Sequence, residues 1–316
     1  MSVLVSFADG EMKQVDVSVN AVELRRTLTA FRKQLTSLGN PRRLRAHGVV
    51  LYEWLIKPLA TELQARDIHT LVVVPDEALR TIPFAALYDG QDFLINRYAF
   101  VITPGLTLTE PQSSAPEGHQ VLLAGLSDSV QGFGKLPYVS DEIRGVASLY
   151  GGTQLMNEAF LKDRVQAEFQ RIPYSTIAFA THAQIQSDPR QSFLLTYDDK
   201  ITLDELESFV RTSQFRDQPV ELMVLSACDT AEGDERAALG LAGVAVKAGA
   251  RSVMASLWSV NDASTAKLVS LFFENLKNSS LSKAQALQRA QQLLLADVGY
   301  QHPSYWAAFV LIGNWL

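Results

Sequence analysis

A chain of 316 residues, 47% of them hydrophobic, is long enough to bury one large core or two moderate ones without disulfide or metal staples. Its formal net charge of −6 and isoelectric point near 5.4 argue against a dedicated nucleic-acid binder, and no apolar run approaches the roughly 18 to 20 residues that a membrane span requires. A single cysteine excludes an internal disulfide, and no charged segment followed by an apolar run opens the chain, so the expected compartment is a reducing cytoplasm.

The opening SVLVSFADGEMKQVDVSV alternates apolar and polar residues around Asp9-Gly10, a dipeptide suited to a tight turn, and predicts a two-stranded hairpin. VELRRTLTAFRKQL and HGVVLYEWLIKPLATEL then space their apolar residues as helices do, with a break around GNPRR. Arg25, Arg26, Arg32, Lys33, Arg42, Arg43 and Arg45 fall here with no acid among them; a solvated helix face and loop explain the run more simply than a polyanion site. Beyond this the pattern changes. HTLVVVP, RYAFVIT, HQVLLAG, STIAFATH, VELMVLSAC and RSVMASLW are short apolar or β-branched runs, most of them separated by amphipathic stretches such as SDEIRGVASLYG, FLKDRVQAEFQRI and TLDELESFVRTS. Near-continuous apolar strands alternating with helices predict an α/β sandwich with a mostly parallel central sheet covered on both faces.

DASTAKLVSLFFENLKN and SLSKAQALQRAQQLLLADVG predict two closing helices, the second begun by a serine cap and ended near Gly299, after which YWAAFVLIGNW returns to the sheet. TEPQSSAPEGH, rich in Pro, Ser and Glu, reads as a linker. It divides an N-terminal accessory part, residues 1–115, from a C-terminal part, residues 116–316, that carries most of the chemistry.

Several common signatures are missing. There is no G-x-S-x-G elbow, no G-x-x-x-x-G-K-[ST] phosphate loop and no H-E-x-x-H, so serine hydrolase, P-loop nucleotidase and zincin readings have no carrier. GFGKLP lacks the third glycine of a dinucleotide loop, and one cysteine with five scattered histidines argues against a zinc site. No cofactor or metal is expected. His47, His69 and His119 carry no motif.

Two strand ends stand out. STIAFATHA delivers Thr181-His182-Ala183 and LMVLSACDT delivers Ser226-Ala227-Cys228-Asp229, and in open parallel sheets such carboxyl-terminal tips share one rim. Their separation, 228 − 182 = 46 positions, leaves room for one short strand and one helix, so the two tips can lie on adjacent strands. A cysteine beside an imidazole gains nucleophilicity, because the ring can take the thiol proton and later protonate a leaving amine. Each residue also has a bland use, Cys228 as a small apolar core residue and His182 as a rim histidine satisfied by hydrogen bonds.

ATHA, LSACDTA, GLAGVAVKAGARSVMASLWSVNDAST and HPSYWAAFVLIGNW resemble, in order, the CHAT family of caspase-like, separase-related cysteine peptidases, often fused to TPR repeats. LVVVPDEALRTIPFAAL and VLYEWLIKPLATEL extend the resemblance upstream to about Val49. It implies a caspase-like three-layer sandwich, with residues 1–115 as a pseudo-caspase-like accessory part. It further implies a His182–Cys228 dyad and an oxyanion hole of the backbone N–H groups of Cys228 and Ala183. Ala183, like Ala231 after DT, stands where many members have glycine, which bears on backbone geometry and not on any reacting atom. SLWSVNDAS, containing Ser256, Trp258 and Asp262, would pair with an extended substrate, with Asp262 placed like the separase aspartate that takes a basic P1 side chain. Asp262 serves equally as the N-cap of DASTAKLVSLFF. His302 and Trp306 belong to the family pattern and sit where packing explains them.

The expected function is a cysteine endopeptidase acting on a protein substrate with a lean to Arg or Lys at P1, under control of a regulatory or TPR-type partner. The alternative is a catalytically latent CHAT module that binds proteins.

Overall fold

The computed structural model describes residues 1–103, 105, 120–185, 191–214, 219–226, 229–230, 243, 246, 248–278 and 280–316. The proposed linker, from Thr109 to His119, lies outside them, as do Cys228 and Ala231.

The hairpin forms as predicted: β1 (Ser2–Ser6) pairs antiparallel with β2 (Met12–Asp16). Gly10 takes a φ of +86° in the turn, which a side chain would resist. The Asp9 carboxylate accepts the Glu11 amide at 3.0 Å. α1 (Ala21–Thr36) is capped by Asn20, whose side chain accepts the Glu23 amide, and α2 (Pro41–Leu55) by Asn40 with Pro41 in the first turn. The break at GNPRR is therefore real, but the second helix begins at Pro41, because proline starts helices as readily as it interrupts them. α3 (Ala60–Ala65) follows a short 3₁₀ turn. Arg66, just past α3, lays its guanidinium over the Phe7 ring at 4.1 Å and pairs with Asp9 and Glu11, fastening the hairpin.

The central sheet has eight strands in the order β3-β4-β14-β13-β11-β7-β5-β6. These are β3 (Thr70–Val73), β4 (Ala99–Ile102), β5 (Val121–Gly125), β6 (Thr153–Met156), β7 (Thr176–Ala180), β11 (Leu222–Leu225), β13 (Ser252–Ser256) and β14 (Phe309–Gly313). Every neighbouring pair is parallel except β13 with β14, so two parallel groups meet at one antiparallel seam. Strands β5, β11, β13 and β14 are buried along their whole length, which is why their sequences show no alternation.

The helices follow from handedness. β5 crosses to β6 through α4 (Val139–Tyr150), while β6 to β7 through α5 (Lys162–Arg171) and β7 to β11 through α6 (Leu203–Gln214) step the opposite way along the sheet. Right-handed crossovers in opposite directions put α4 on one face and α5 with α6 on the other. α4 packs on α7 (Asp262–Leu276), which packs on α8 (Lys283–Ala296). Ser282 begins α8 with a reciprocal capping box to Gln285, and the short α9 (Pro303–Trp306) leads into β14.

A second sheet sits beyond the ends of β7 and β11. Its order is β10 (Lys200–Thr202), β9 (Phe193–Leu195), β8 (Ala183–Ile185), β12 (Asp229–Thr230).

Candidate active site

Five parallel strands end at one rim. Gly125 of β5 is level with Ala180 of β7 and Met156 of β6, and Leu225 of β11 with Phe179 and Ala255. Thr181-His182, Ser226 and Leu257 onward all leave the sheet there, as the two apolar runs ending in polar tips predict.

His182 is held through both its backbone and its ring. The Leu195 amide donates to the His182 carbonyl at 2.8 Å, and the Thr181 hydroxyl donates to the Leu195 carbonyl at 2.7 Å, so β9 grips the backbone across the histidine. The half-buried ring leans on Phe133 with centroids 5.2 Å apart, and Nε2 lies 2.8 Å from the Gly134 carbonyl oxygen. A carbonyl only accepts, so Nε2 carries a hydrogen, and in the neutral ring the lone pair falls to Nδ1.

The loop that supplies this carbonyl contains GFGKLP. The Leu126 amide donates to Ala180 at 2.9 Å, and the Asn157 side-chain oxygen accepts the Ser127 amide at 2.8 Å and the Asp128 amide at 3.3 Å. Asn157 has a φ of +47°, a conformation Asn tolerates better than most residues. Gly125 allows the close approach at the loop's start, since a Cβ there would stand 2.7 to 2.9 Å from Met156, Val139 and Ile143.

Cys228 lies outside the described residues, but the chain on both sides of it is described. Before it, Leu222–Leu225 runs parallel to Thr176–Phe179; after it, Asp229-Thr230 runs parallel to Gln184-Ile185. These segments flank His182 in the same order. Ala183 opens β8, is 1% exposed and pairs with Leu194.

Ser256 ends β13, buried and paired with Phe309. Trp258 is buried too, its indole N–H given to the Ser304 carbonyl at 3.2 Å. Asp262 is not the helix cap: Asn261 caps α7, accepting the Ser264 amide at 3.1 Å. The Asp262 carboxylate, one residue further on, instead accepts the amide of Tyr138 at 2.9 Å, at the start of α4. Burial raises its pKa, while the Tyr138 amide and the nearby His182 pull it back.

Three contributors escape the sequence reading. Gly134 and Phe133 act on the ring through a backbone carbonyl and a packing face, neither of which leaves a motif. The third, Glu142, left a signal. It falls on the stripe Val139, Glu142, Ile143, Val146, all buried, where helical spacing calls for an apolar residue. Its pKa is pushed up to about 8, by burial first and in the same direction by Asp262; Ser226 draws it down, although the Ser226 hydroxyl is directed to the Phe179 carbonyl at 3.3 Å.

A mostly parallel sheet with helices on both faces is the fold shared with caspase-like cysteine peptidases. Superposition gives a TM-score of 0.57 with the Arg specific cysteine proteinase gingipain R, at 10% identity over 93% of this chain and 74% of that one. With separase of the Saccharomyces cerevisiae separase–securin complex it is 0.54, at 15% identity over 78% of this chain and 15% of that one. The chain belongs to the CHAT domain family, which matches residues 45–314. Curated relatives are tetratricopeptide repeat protein 28 of Homo sapiens, 23% identical over 84% of this chain, and of Mus musculus, 24% identical over the same share. This chain spans 13% of the length of those relatives. No helix among the described residues is long and apolar enough to cross a membrane.

Proposed function

We propose that this chain is a cysteine endopeptidase with Cys228 as nucleophile and His182 as base. The observation that carries the reading is the double register around the pair: strands before and after Cys228 run beside strands before and after His182. The Gly134 carbonyl adds to it by leaving Nδ1 free to accept a proton. His182 takes the thiol proton, and the thiolate attacks a peptide carbonyl carbon. The backbone N–H groups of Cys228 and Ala183 receive the oxyanion. The imidazolium then gives its proton to the departing amine, leaving a thioester. Water, deprotonated by His182, hydrolyses that ester and restores the thiol.

Ser256, Trp258 and Asp262 belong to the segment that would carry an extended substrate, with Asp262 favouring Arg or Lys at P1; gingipain R is described as Arg specific. A tetratricopeptide-repeat segment or partner would bring the substrate, given the relatives' names and the small share of their length that this chain spans. Those names also favour a second reading, a latent module that binds proteins without cleaving them.

The test is a thiol-reactive peptide probe with Arg at P1. Stoichiometric labelling of Cys228, reduced by on the order of 10³-fold in His182→Ala, is the expected result. A Cys228 thiol that reacts with a small alkylating agent but never with the peptide probe, with a repeat-containing partner present, leaves the binding module instead.

A further inference from the structure

The loop that brings the Gly134 carbonyl to His182 contains a turn with an ill-suited residue in it. The Phe133 amide donates to the Val130 carbonyl at 2.9 Å, and both central residues have positive φ, +51° at Gln131 and +84° at Gly132. Turns with two positive φ values favour Asn-Gly, Asp-Gly or Gly-Gly, because most side chains resist the left-handed conformation. Gln131 carries the amide head of asparagine on one more methylene. A residue kept in a strained conformation is held there by what its side chain does.

That side chain reaches the turn of the β9–β10 hairpin, 65 positions on at its nearest contact. Gln131 Nε2 lies 3.0 Å from the Thr196 carbonyl oxygen, 3.2 Å from that of Asp199 and 3.4 Å from that of Tyr197. Three acceptors around one atom fix the amide's orientation, since only its nitrogen carries hydrogens. The hairpin is the firmer partner. Lys162, the first residue of α5, pairs with Asp199 at 3.1 Å and with Glu205 of α6 at 2.8 Å, and gives its amide to the Asp198 carboxylate at 3.1 Å. The Tyr197 amide donates to the Phe160 carbonyl at 2.9 Å. Most of the stretch from Ser129 to Tyr138 is exposed, so packing alone does little to hold it.

β9 therefore acts on His182 by two routes. Its Leu195 amide holds the histidine backbone, and the turn that follows it holds Gln131, in the loop whose Gly134 carbonyl meets Nε2. Phe193 of the same strand backs Phe133, with ring centroids 6.1 Å apart, and Phe133 backs the imidazole. Gly134 lies between Gln131 and Tyr138, whose amide Asp262 holds, so the chain is pinned on either side of that carbonyl.

We propose that Gln131 is a positioning residue for His182: its amide latches the loop to the hairpin, so that the imidazole and the carbonyl that orients it are both fixed from β9. The effect on the ring needs no catalysis, while its consequence for turnover rests on the peptidase reading.

Gln131→Asn tests the latch. It suits the turn better than glutamine and keeps the amide, but is one methylene too short to reach the hairpin. Gln131→Gly also keeps the turn and has no side chain at all. The full chain is prepared with isotopically labelled histidine, and the His182 ring signal is identified in magnetic resonance spectra by its loss in His182→Gln. Wild type is expected to carry a hydrogen on Nε2 whose exchange with water is slowed by the Gly134 carbonyl. Both variants, with circular dichroism unchanged, are expected to exchange it about tenfold faster. In parallel, kcat for peptide cleavage falls about fivefold with KM little changed. A merely structural Gln131 would shift the thermal midpoint and leave the exchange rate alone.

A wild-type exchange rate in either variant, or a wild-type ring with its hydrogen on Nδ1, overturns the latch. So does an unchanged kcat in a chain that cleaves peptides, which loses the latch and keeps the peptidase reading. A chain that cleaves no peptide and takes up no peptide probe, yet exchanges the ring hydrogen faster in both variants, keeps the latch and loses the peptidase reading.

Discussion

In the unfolded chain the Glu142 carboxyl titrates at its ordinary 4.5, whereas in the fold it is held up to about 8. Between those values the native state carries a proton that the unfolded state has lost, so unfolding gains on folding as pH rises. Stability should therefore fall by up to about 1.4 kcal/mol per pH unit from about pH 5 to pH 8 and level off above. His302, whose pKa burial lowers, works in the opposite sense, losing stability as pH drops through its ordinary 6.5. Comparing wild type with E142Q isolates the glutamate. The variant should lack the alkaline decline and be no less stable than wild type at pH 8, as read from thermal midpoints between pH 5 and 9. A decline of equal slope in E142Q would assign it to another group. At this scale the sequence speaks unevenly. His182 and Asp262 announce themselves by residue type at strand and helix ends, and Glu142 by being a charge on an apolar stripe, while the Gly134 carbonyl is an atom every residue has.

The loop from Leu126 to Tyr138 is where element-scale precision enters, because it brings the Gly134 oxygen to His182. Two residues set its entry. Gly125→Ala puts a methyl within 2.7 to 2.9 Å of Met156, Val139 and Ile143 and must push α4 outward, costing about 1–3 kcal/mol. Asn157→Ala removes the acceptor for two loop amides and leaves alanine at a φ of +47°. A loss of about 1–3 kcal/mol is expected, of which Asn157→Gly would recover the strain but not the hydrogen bonds. Urea denaturation measures both. On the proposed peptidase reading, each variant should also slow cleavage more through kcat than through KM, since the ring's orientation and not the substrate's contacts is disturbed. Elements of this kind mark the limit of reading a chain. The strands of HQVLLAG, STIAFATH and RSVMASLW are legible because five consecutive buried residues need an apolar run. β6, β8 and β12, two to four residues long, have too little length to show any period, and they form because a neighbouring strand is already in place.

Over the whole molecule, strands from both sides of residue 115 share one sheet, since β3 and β4 continue it beyond β14. Neither that order nor the seam between β13 and β14 has a local signature, because strand pairing over such separations is set by packing. The N-terminal helix adds a link of longer range. Arg32 of α1, outside the segment that matches the family, donates to the Thr81 carbonyl at 2.8 Å and to the Leu257 carbonyl at 3.4 Å. Leu257 also gives its amide to Ala308 at 2.9 Å, so the segment leading to Asp262 is pinned from two directions. Arg32→Met keeps the aliphatic stem and removes the donors. It should cost about 1–3 kcal/mol and, if this segment carries substrate, raise KM several-fold with kcat little changed. The control is Arg66→Met, which removes two ion pairs that fasten the hairpin without touching the rim and should leave KM as it was. Equal increases in KM from the two variants would mean that loosening the N-terminal part anywhere is what matters, and that the Arg32 contact with Leu257 has no special part in substrate binding.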